Sequence, residues 1–396
     1  MSKKRYSLSL IAILIIFAVG LCGGFAIQEY RYTGRLFSDA GLTSEQIRAL
    51  NEALYIVDHY AIEEHDENFS VDYALKGIAA SLGDDYAYYF TPEELAAYLD
   101  SSSGTVEGSI GANVYKDGED IIVTSVFKGL PADTAGIKKC DKIIAVDGTD
   151  VRGKTLEEVV ALVKGETGTE VTVTVEREGR ELAFCLVRAD GQRQMTEYSF
   201  IGDTKILYIA IFSFHGNAVE YFEEAIEYGK AGGYEGIIID LRENSGGELS
   251  IFEQIADIML PEGETFYALR RDGQKIQSCT SDADFIDKPV AVLINGSSAS
   301  ASEALAGALR DMGGAVLVGT KSFGKGIMQT NYPLDNGGMF KLTTAKYYLP
   351  SGECIHGIGL TPDYEVELSD ELTQKYWLRT ENNDLQLQKA IDLLTN

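Results

Sequence analysis

A chain of 396 residues is long enough for two or three domains, each with its own core. Its 61 acidic against 34 basic residues give a net charge of −27, which argues against nucleic acid and for a well-solvated body. Five scattered cysteines (Cys22, Cys140, Cys185, Cys279, Cys354) form no CxxC, and the four histidines form no HExxH, so no metal and no cofactor is expected.

At the N-terminus, Lys3, Lys4 and Arg5 precede Leu8 to Ile27, 20 residues without a charge. That length spans a bilayer and the basic flank belongs inside. The expectation is a single-pass plasma-membrane protein, with residues 1–7 cytoplasmic, 8–27 a transmembrane helix and the body extracytoplasmic. A cleaved signal peptide is the competing reading, but the run is long for one and no A-x-A ends it. Next, Ile47, Leu50, Leu54 and Val57 share one helical face, with Thr43 and Gln46 as a capping box. A second helical stretch, Val71 to Leu82, ends at Gly83, and Ser101 to Gly104 reads as a linker.

From Gly104 to Arg188 the pattern is strand, strand, short helix, strand, helix, strand. Ile206 to Phe212 then reads as a strand, Val219 to Tyr228 as a helix and Ile237 to Leu241 as a buried strand. Ile251, Ile255, Ile258 and Met259 place a helix directly after Gly246-Gly247, a pair that on its own is an ordinary strand-to-helix turn. Val290 to Ile294 is a short β-branched strand, Ser297-Ser298-Ala299-Ser300 a turn, and a helix starts near Ala301. A strand over Val316 to Val318 leads into a glycine-flanked loop with Lys321 and Lys325. Met339 to Leu349 is a long strand, and Asp384 to Leu394 an amphipathic helix.

The serine turn is the part that suggests chemistry. A hydroxyl at a helix N-terminus sits beside unpaired N–H groups that favour developing negative charge, which is half of an acyl-transfer site. Ser300 followed by Glu303 is equally a capping box, the commoner use of such a serine.

GSSASASEALAGALRD and GTKSFGKGIMQ resemble the nucleophile and base segments of the C-terminal processing (tail-specific) peptidases, a serine/lysine family with an internal PDZ domain. DLRENSGG is similar to the family's LRxNxGG motif, PSGECIHGIGLTPD to its PSGxxIxGxGxxPD signature, and GDDYAYYFTPEELAAYL to the stretch after its first helices. The segment from Gly104 to Arg188 closely resembles a PDZ domain, except that Cys140 stands where a glycine usually precedes the aspartate.

The resemblance implies Ser300 as nucleophile, Lys325, 25 positions on, as base, and Gln329 as its support. Lys321 is the rival base. The oxyanion donors would be the N–H of Ala301 and of Gly246 or Gly247. The PDZ loop at Ile110, Gly111 and Ala112 would grip a peptide C-terminus, either tethering a substrate or gating the site. The implied fold is an α/β catalytic body with a crotonase-like βα core, residues 191–365, carrying a PDZ domain at 104–190. A helical N-terminal segment (28–103) and a helical tail (366–396) complete it, both offering contacts for a homodimer. The expected function is a serine endopeptidase acting on extracytoplasmic protein substrates. Its rivals are a non-catalytic scaffold and a thioester-processing enzyme. An intact Ser300, Lys325 and Gln329 speaks against the first, and a PDZ domain outside the cytoplasm against the second.

Overall fold

The computed structural model describes residues 43–62, 67–102 and 104–395. The expected membrane span at 8–27 lies outside them; among the described residues no helix is long and apolar enough to cross a membrane. The chain divides into two compact units, residues 1–78 and 79–396. In the first, the helix Ser44–Tyr60 has the expected capping box between Thr43 and Gln46 and buries no residue. The helix Glu67–Ala80 crosses the division in sequence, and the second unit holds all later elements.

Its catalytic-side core is a six-stranded sheet in the order Thr196–Phe200, Ile206–Ile211, Gly236–Asp240, Val290–Ile294, Val316–Gly319, Tyr364–Glu365. The first pair is antiparallel and the rest are parallel. Parallel neighbours require crossovers, and both sheet faces are covered, so the central strands read as unbroken apolar runs rather than alternating ones. Gly236–Asp240 and Val290–Ile294 are buried at every position. The helices Ala218–Gly232, Leu249–Met259 and Ala301–Gly313 supply one layer of that core. The tail helix Leu385–Thr395 covers the other face with Leu387 and Ala390, so its apolar side is spent on its own sheet.

A second, five-stranded sheet combines Tyr88–Phe90, Met339–Tyr348, Gly263–Leu269 and Lys275–Ser281, with Ile327–Pro333 also paired to Met339–Tyr348. Tyr88–Phe90 comes from the stretch expected to make a dimer contact. Within the chain those residues pair with the long strand, Tyr88 opposite Lys341 and Phe90 opposite Met339.

Residues 112–187 form a separate antiparallel sheet around Ile121, Ile143, Val146 and Val173, with the helices Pro131–Ala135 and Leu156–Val163. A two-stranded ribbon, Thr105–Ser109 with Ala189–Gln192, joins the two ends of this domain where it leaves the body. Cys140 takes φ 70°, the left-handed conformation a glycine would adopt, so the turn is kept without the glycine.

The tail runs between the two domains. Lys375 pairs with Asp117, Trp377 packs on Tyr115 at 4.6 Å between ring centroids, and Cys140 Sγ donates to the Trp377 carbonyl. A few residues on, Arg379 reaches Glu243 at 2.8 Å. Buried Arg242 meets Asp240, Asp384 and Gln386. One segment therefore touches the PDZ sheet and the strand end that carries the glycine pair.

Candidate active site

The strand Val290–Ile294 ends at Asn295, and the turn after it is held by its own side chains. Ser298 Oγ donates to the Leu241 carbonyl at 2.8 Å and accepts from Asn295 N–H at 2.9 Å. Ser302 Oγ donates to the Asn244 carbonyl at 2.9 Å. Both hydroxyls are fully buried and committed to the backbone. Ser300 is different. It is half-buried, with φ 57° and ψ −117°, a conformation that costs a non-glycine residue about 1–3 kcal/mol and persists only when its surroundings enforce it. The enforcing contacts are Ser300 N–H to Glu303 Oε2 at 3.0 Å, and the Ser300 carbonyl accepting from Tyr347 OH at 3.1 Å and from Ala304 N–H at 2.9 Å.

The glycine pair lies directly beneath this turn. A Cβ on Gly246 would stand 2.9 Å from Ser300 Cβ and 2.7 Å from the Ala299 carbonyl; one on Gly247 would stand 2.4 Å from the Phe214 carbonyl. Only glycine fits at either place, and both have positive φ. Asn244, fully buried, joins the two segments: its side chain donates to the Ile211 carbonyl, and its carbonyl accepts from Ala299 N–H. Its Oδ1 also takes the Gly246 N–H at 2.8 Å. That hydrogen bond separates two residues that sequence alone leaves equivalent. Gly246 N–H is spent; among the described residues no backbone or side-chain bond takes up the N–H of Gly247 or of Ala301.

Glu303 is the residue whose weight the sequence understated. Its carboxylate is fully buried and accepts from four donors: Ser300 N–H at 3.0 Å, Lys325 N–H at 2.8 Å, Gly324 N–H at 2.7 Å and Ser322 Oγ at 2.5 Å. The first two share one oxygen. A residue that reads as a helix cap thus ties the serine turn to the lysine loop.

Glycines flank Lys325 because another loop lies against them. A Cβ on Gly326 would be 2.4 Å from His356 N, and one on Gly324 2.8 Å from Gly359 N. This is how the PSGECIHGIG stretch supports the lysine loop, with Gly357 N–H donating to the Gly324 carbonyl. Burial holds the Lys325 amine below the ordinary lysine value; nearby Lys341 lowers it further and Glu303 opposes them. Lys325 Nζ lies 4.8 Å from the Tyr86 ring centroid. Lys321 is exposed, the wrong environment for a neutral amine.

Gln329 stands at a register shift in the strand Ile327–Pro333, and its amide donates to Thr343 Oγ1 at 3.2 Å rather than to the lysine. The structure therefore ties Ser300 and Lys325 together through Glu303, sets the glycine pair beneath the serine turn, and directs Gln329 to a neighbouring strand. His215 lies beside the glycine pair, 2.8 Å from a Cβ built on Gly247, but its Nδ1 pairs with Ser213 Oγ at 2.7 Å.

In the PDZ domain, Ile110 is buried, Gly111 has φ 77° and Gly111 N–H donates to Ser109 Oγ. Ala112 opens the strand Ala112–Asp117, and a cleft of about 60 Å³ runs between it and the helix Leu156–Val163, lined by Ile110, Ala112, Val114, Val159 and Val163.

Comparison with known proteins agrees with this geometry. Residues 205–366 match peptidase family S41, and residues 101–176 match the PDZ domain. The chain is 34% identical over 322 residues to the carboxy-terminal processing protease CtpA of Bacillus subtilis (strain 168), covering 81% of this chain and 69% of that one. It is 35% identical over 314 residues to a protein of Staphylococcus aureus (strain COL) named Probable CtpA-like serine protease, covering 78% of this chain and 62% of the relative. The chain thus spans about three-fifths of the length of that curated relative. Among solved structures, it superposes on a photosystem II D1 C-terminal processing protease with a TM-score of 0.50 and 27% identity, over 82% of this chain and 94% of that chain. The chain belongs to peptidase family S41. Within that family its relatives are the PDZ-bearing carboxy-terminal processing proteases.

Proposed function

We propose that the protein is a serine endopeptidase working through a Ser300/Lys325 dyad, on protein substrates whose C-terminal tails its PDZ domain recognises. The observation that carries this reading is Glu303 Oε2, which accepts from the N–H of both Ser300 and Lys325 and so fixes nucleophile and base on one buried atom.

Ser300 Oγ attacks the scissile carbonyl as the Lys325 amine takes its proton. The amine must be uncharged to do so, and burial moves its pKa in that direction. The tetrahedral oxyanion falls to the N–H groups of Ala301 and Gly247, which donate to no other group among the described residues. Collapse breaks the C–N bond, Lys325 returns the proton to the leaving amine, and an acyl-enzyme forms on Ser300. Water, losing a proton to the same lysine, then releases the new C-terminus.

The PDZ cleft takes the substrate's terminal residues as an added strand, with the loop at Ile110, Gly111 and Ala112 at its carboxylate end. The uncharged run at 8–27 tethers the body outside the membrane, and the catalytic body keeps a crotonase-like βα core. Two copies pair through the helical N-terminal segment, whose helix Ser44–Tyr60 exposes Ile47, Leu50, Leu54 and Val57. The test is cleavage of an unstructured peptide by purified protein. Ser300→Ala and Lys325→Ala each abolish it, as expected of residues acting as a unit. Turnover in a folded Lys325→Ala protein would defeat the lysine-base assignment.

A further inference from the structure

Lys325 is not enclosed by the catalytic body alone. Its amine faces three charged or titratable neighbours: Glu303 from the serine helix, Lys341 from the strand Met339–Tyr348 and the phenol ring of Tyr86. Tyr86 belongs to the GDDYAYYF stretch, far away in sequence, and nothing in the reaction outlined above uses it. Its own surroundings add Asp84 and Asp85 to Glu303.

The ring is placed with care. Asp84 Oδ1 accepts the Tyr86 N–H at 3.0 Å, and the Asp84 carbonyl accepts Ala87 N–H at 3.1 Å, forming a tight turn. Immediately after it, Tyr88–Phe90 pairs with Met339–Phe340–Lys341, and Tyr89 is fully buried with its hydroxyl accepting from Asn336 at 2.7 Å. The strand that receives this segment also pairs with Ile327–Pro333, which begins two residues after Lys325. Ring and amine are therefore fixed to a common sheet. Packing of this kind positions a side chain far more firmly than an exposed loop does.

We propose that Tyr86 is a positioning residue for the base, its ring forming the wall that keeps water from the Lys325 amine. This rests on the reading of Lys325 as base, but its test does not. Two effects of an aromatic face on a lysine oppose each other. A cation–π contact favours the ammonium by about 0.5–2 kcal/mol. Excluding water disfavours it, by up to ~3–5 pK units for a fully buried amine. Lys325 is part-buried and burial is the largest cause of its lowered pKa, so the ring's net effect is to favour the neutral amine.

The experiment reads the lysine directly. In the Ser300→Ala protein, trace acetylation with acetic anhydride across a pH series, quantified by mass spectrometry, gives the ionisation midpoint of Lys325, with exposed Lys321 as internal reference. Adding Tyr86→Ala moves the Lys325 midpoint upward by about one pH unit or more, toward the ordinary lysine value. Tyr86→Phe leaves it in place, because the ring and not the hydroxyl is the wall. If Tyr86→Ala does not fold, Tyr86→Gln, which brings a hydrated amide to the same place, carries the same expectation. A midpoint that stays put or falls in Tyr86→Ala or Tyr86→Gln overturns the proposal, as does one that rises equally in Tyr86→Phe. In protein with Ser300 intact, the acid limb of kcat/KM follows the midpoint if Lys325 is the base. A midpoint that moves while the limb does not leaves the Tyr86 inference standing and removes the base assignment.

Discussion

Glu303→Gln is the substitution that asks most of the site while changing least of its shape. The carboxylate has two oxygens and four donors, Ser300 and Lys325 on one, Ser322 and Gly324 on the other. A glutamine keeps one accepting oxygen and replaces the other with an NH2 that only donates. Turned one way the NH2 faces two backbone N–H groups; turned the other it faces Gly324 N–H and the Ser322 hydroxyl, which can accept, so one or two donors lose their acceptor. Hydrogen bonds to a charged group contribute about 1.5–3 kcal/mol each, so the loss costs about 1.5–6 kcal/mol. The Ser300 conformation adds to the pressure, because its strain of about 1–3 kcal/mol is held in place partly by the Glu303 contact and relaxes without it. Urea unfolding and peptide turnover, measured on the same preparation, check both consequences. The expected result is a loss of about 1.5–6 kcal/mol in unfolding free energy and a drop in kcat/KM of about 100-fold or more, since misplacement by about 1 Å is enough for that. A Gln variant within about 1 kcal/mol of the parent, with turnover intact, would refute the role given to this carboxylate.

Two other outcomes follow from buried charge. Lys325→Met removes an amine whose burial disfavours its charge, so the variant is more stable than the parent at neutral pH. As pH rises from the lowered folded value toward 10.5, the unfolded chain keeps a proton that the folded one has released, so the parent gains stability and the gap narrows. Urea midpoints at several pH values check this, and a Met variant less stable at every pH contradicts it. Asp384→Ala leaves the buried Arg242 short of one carboxylate and strips the tail helix of the side chain that accepts from Gln386 and Leu387 N–H. A loss of about 3–5 kcal/mol is expected from denaturation, and a loss under about 1 kcal/mol would show that Asp240 alone satisfies the arginine.

Strand, turn and helix around Ser300 were legible because local periodicity and turn chemistry specify them. The same holds for the buried strands Ile237–Leu241 and Val290–Ile294, whose lengths of apolar sequence match their doubly covered positions. What pattern could not reach was every feature made by long-range pairing. The strands Gly263–Leu269 and Lys275–Ser281 were missed because their partners, and not their composition, make them strands. Ser298, Ser300 and Ser302 look alike in sequence; the acceptors that claim the outer two lie at Leu241 and Asn244. Gly246 and Gly247 are separated only by where Asn244 Oδ1 points. Glu303 satisfies the capping-box pattern, which hides the three donors that arrive from Ser322, Gly324 and Lys325. Tyr86 sat in a stretch assigned to subunit contact, because nothing local discloses that Tyr88–Phe90 pairs with residues 339–341.

The tail segment that joins the PDZ sheet to the catalytic body also sets an order of events. Arg242 and Glu243, which begin the glycine-pair loop, wait for Arg379, Asp384 and Gln386, the nearest of them 136 residues downstream. Ser300 and Lys325 both lie upstream of those partners, so a growing chain holds both well before the glycine loop beneath the serine turn is braced. The same stretch brings Trp377 to Tyr115, docking the PDZ sheet at the same stage. A chain interrupted before Arg379 therefore carries Ser300 and Lys325 with an unbraced glycine loop. Vectorial synthesis makes completion of the strap a checkpoint: the serine and the lysine are made early, and the part of the fold that braces the glycine loop comes last.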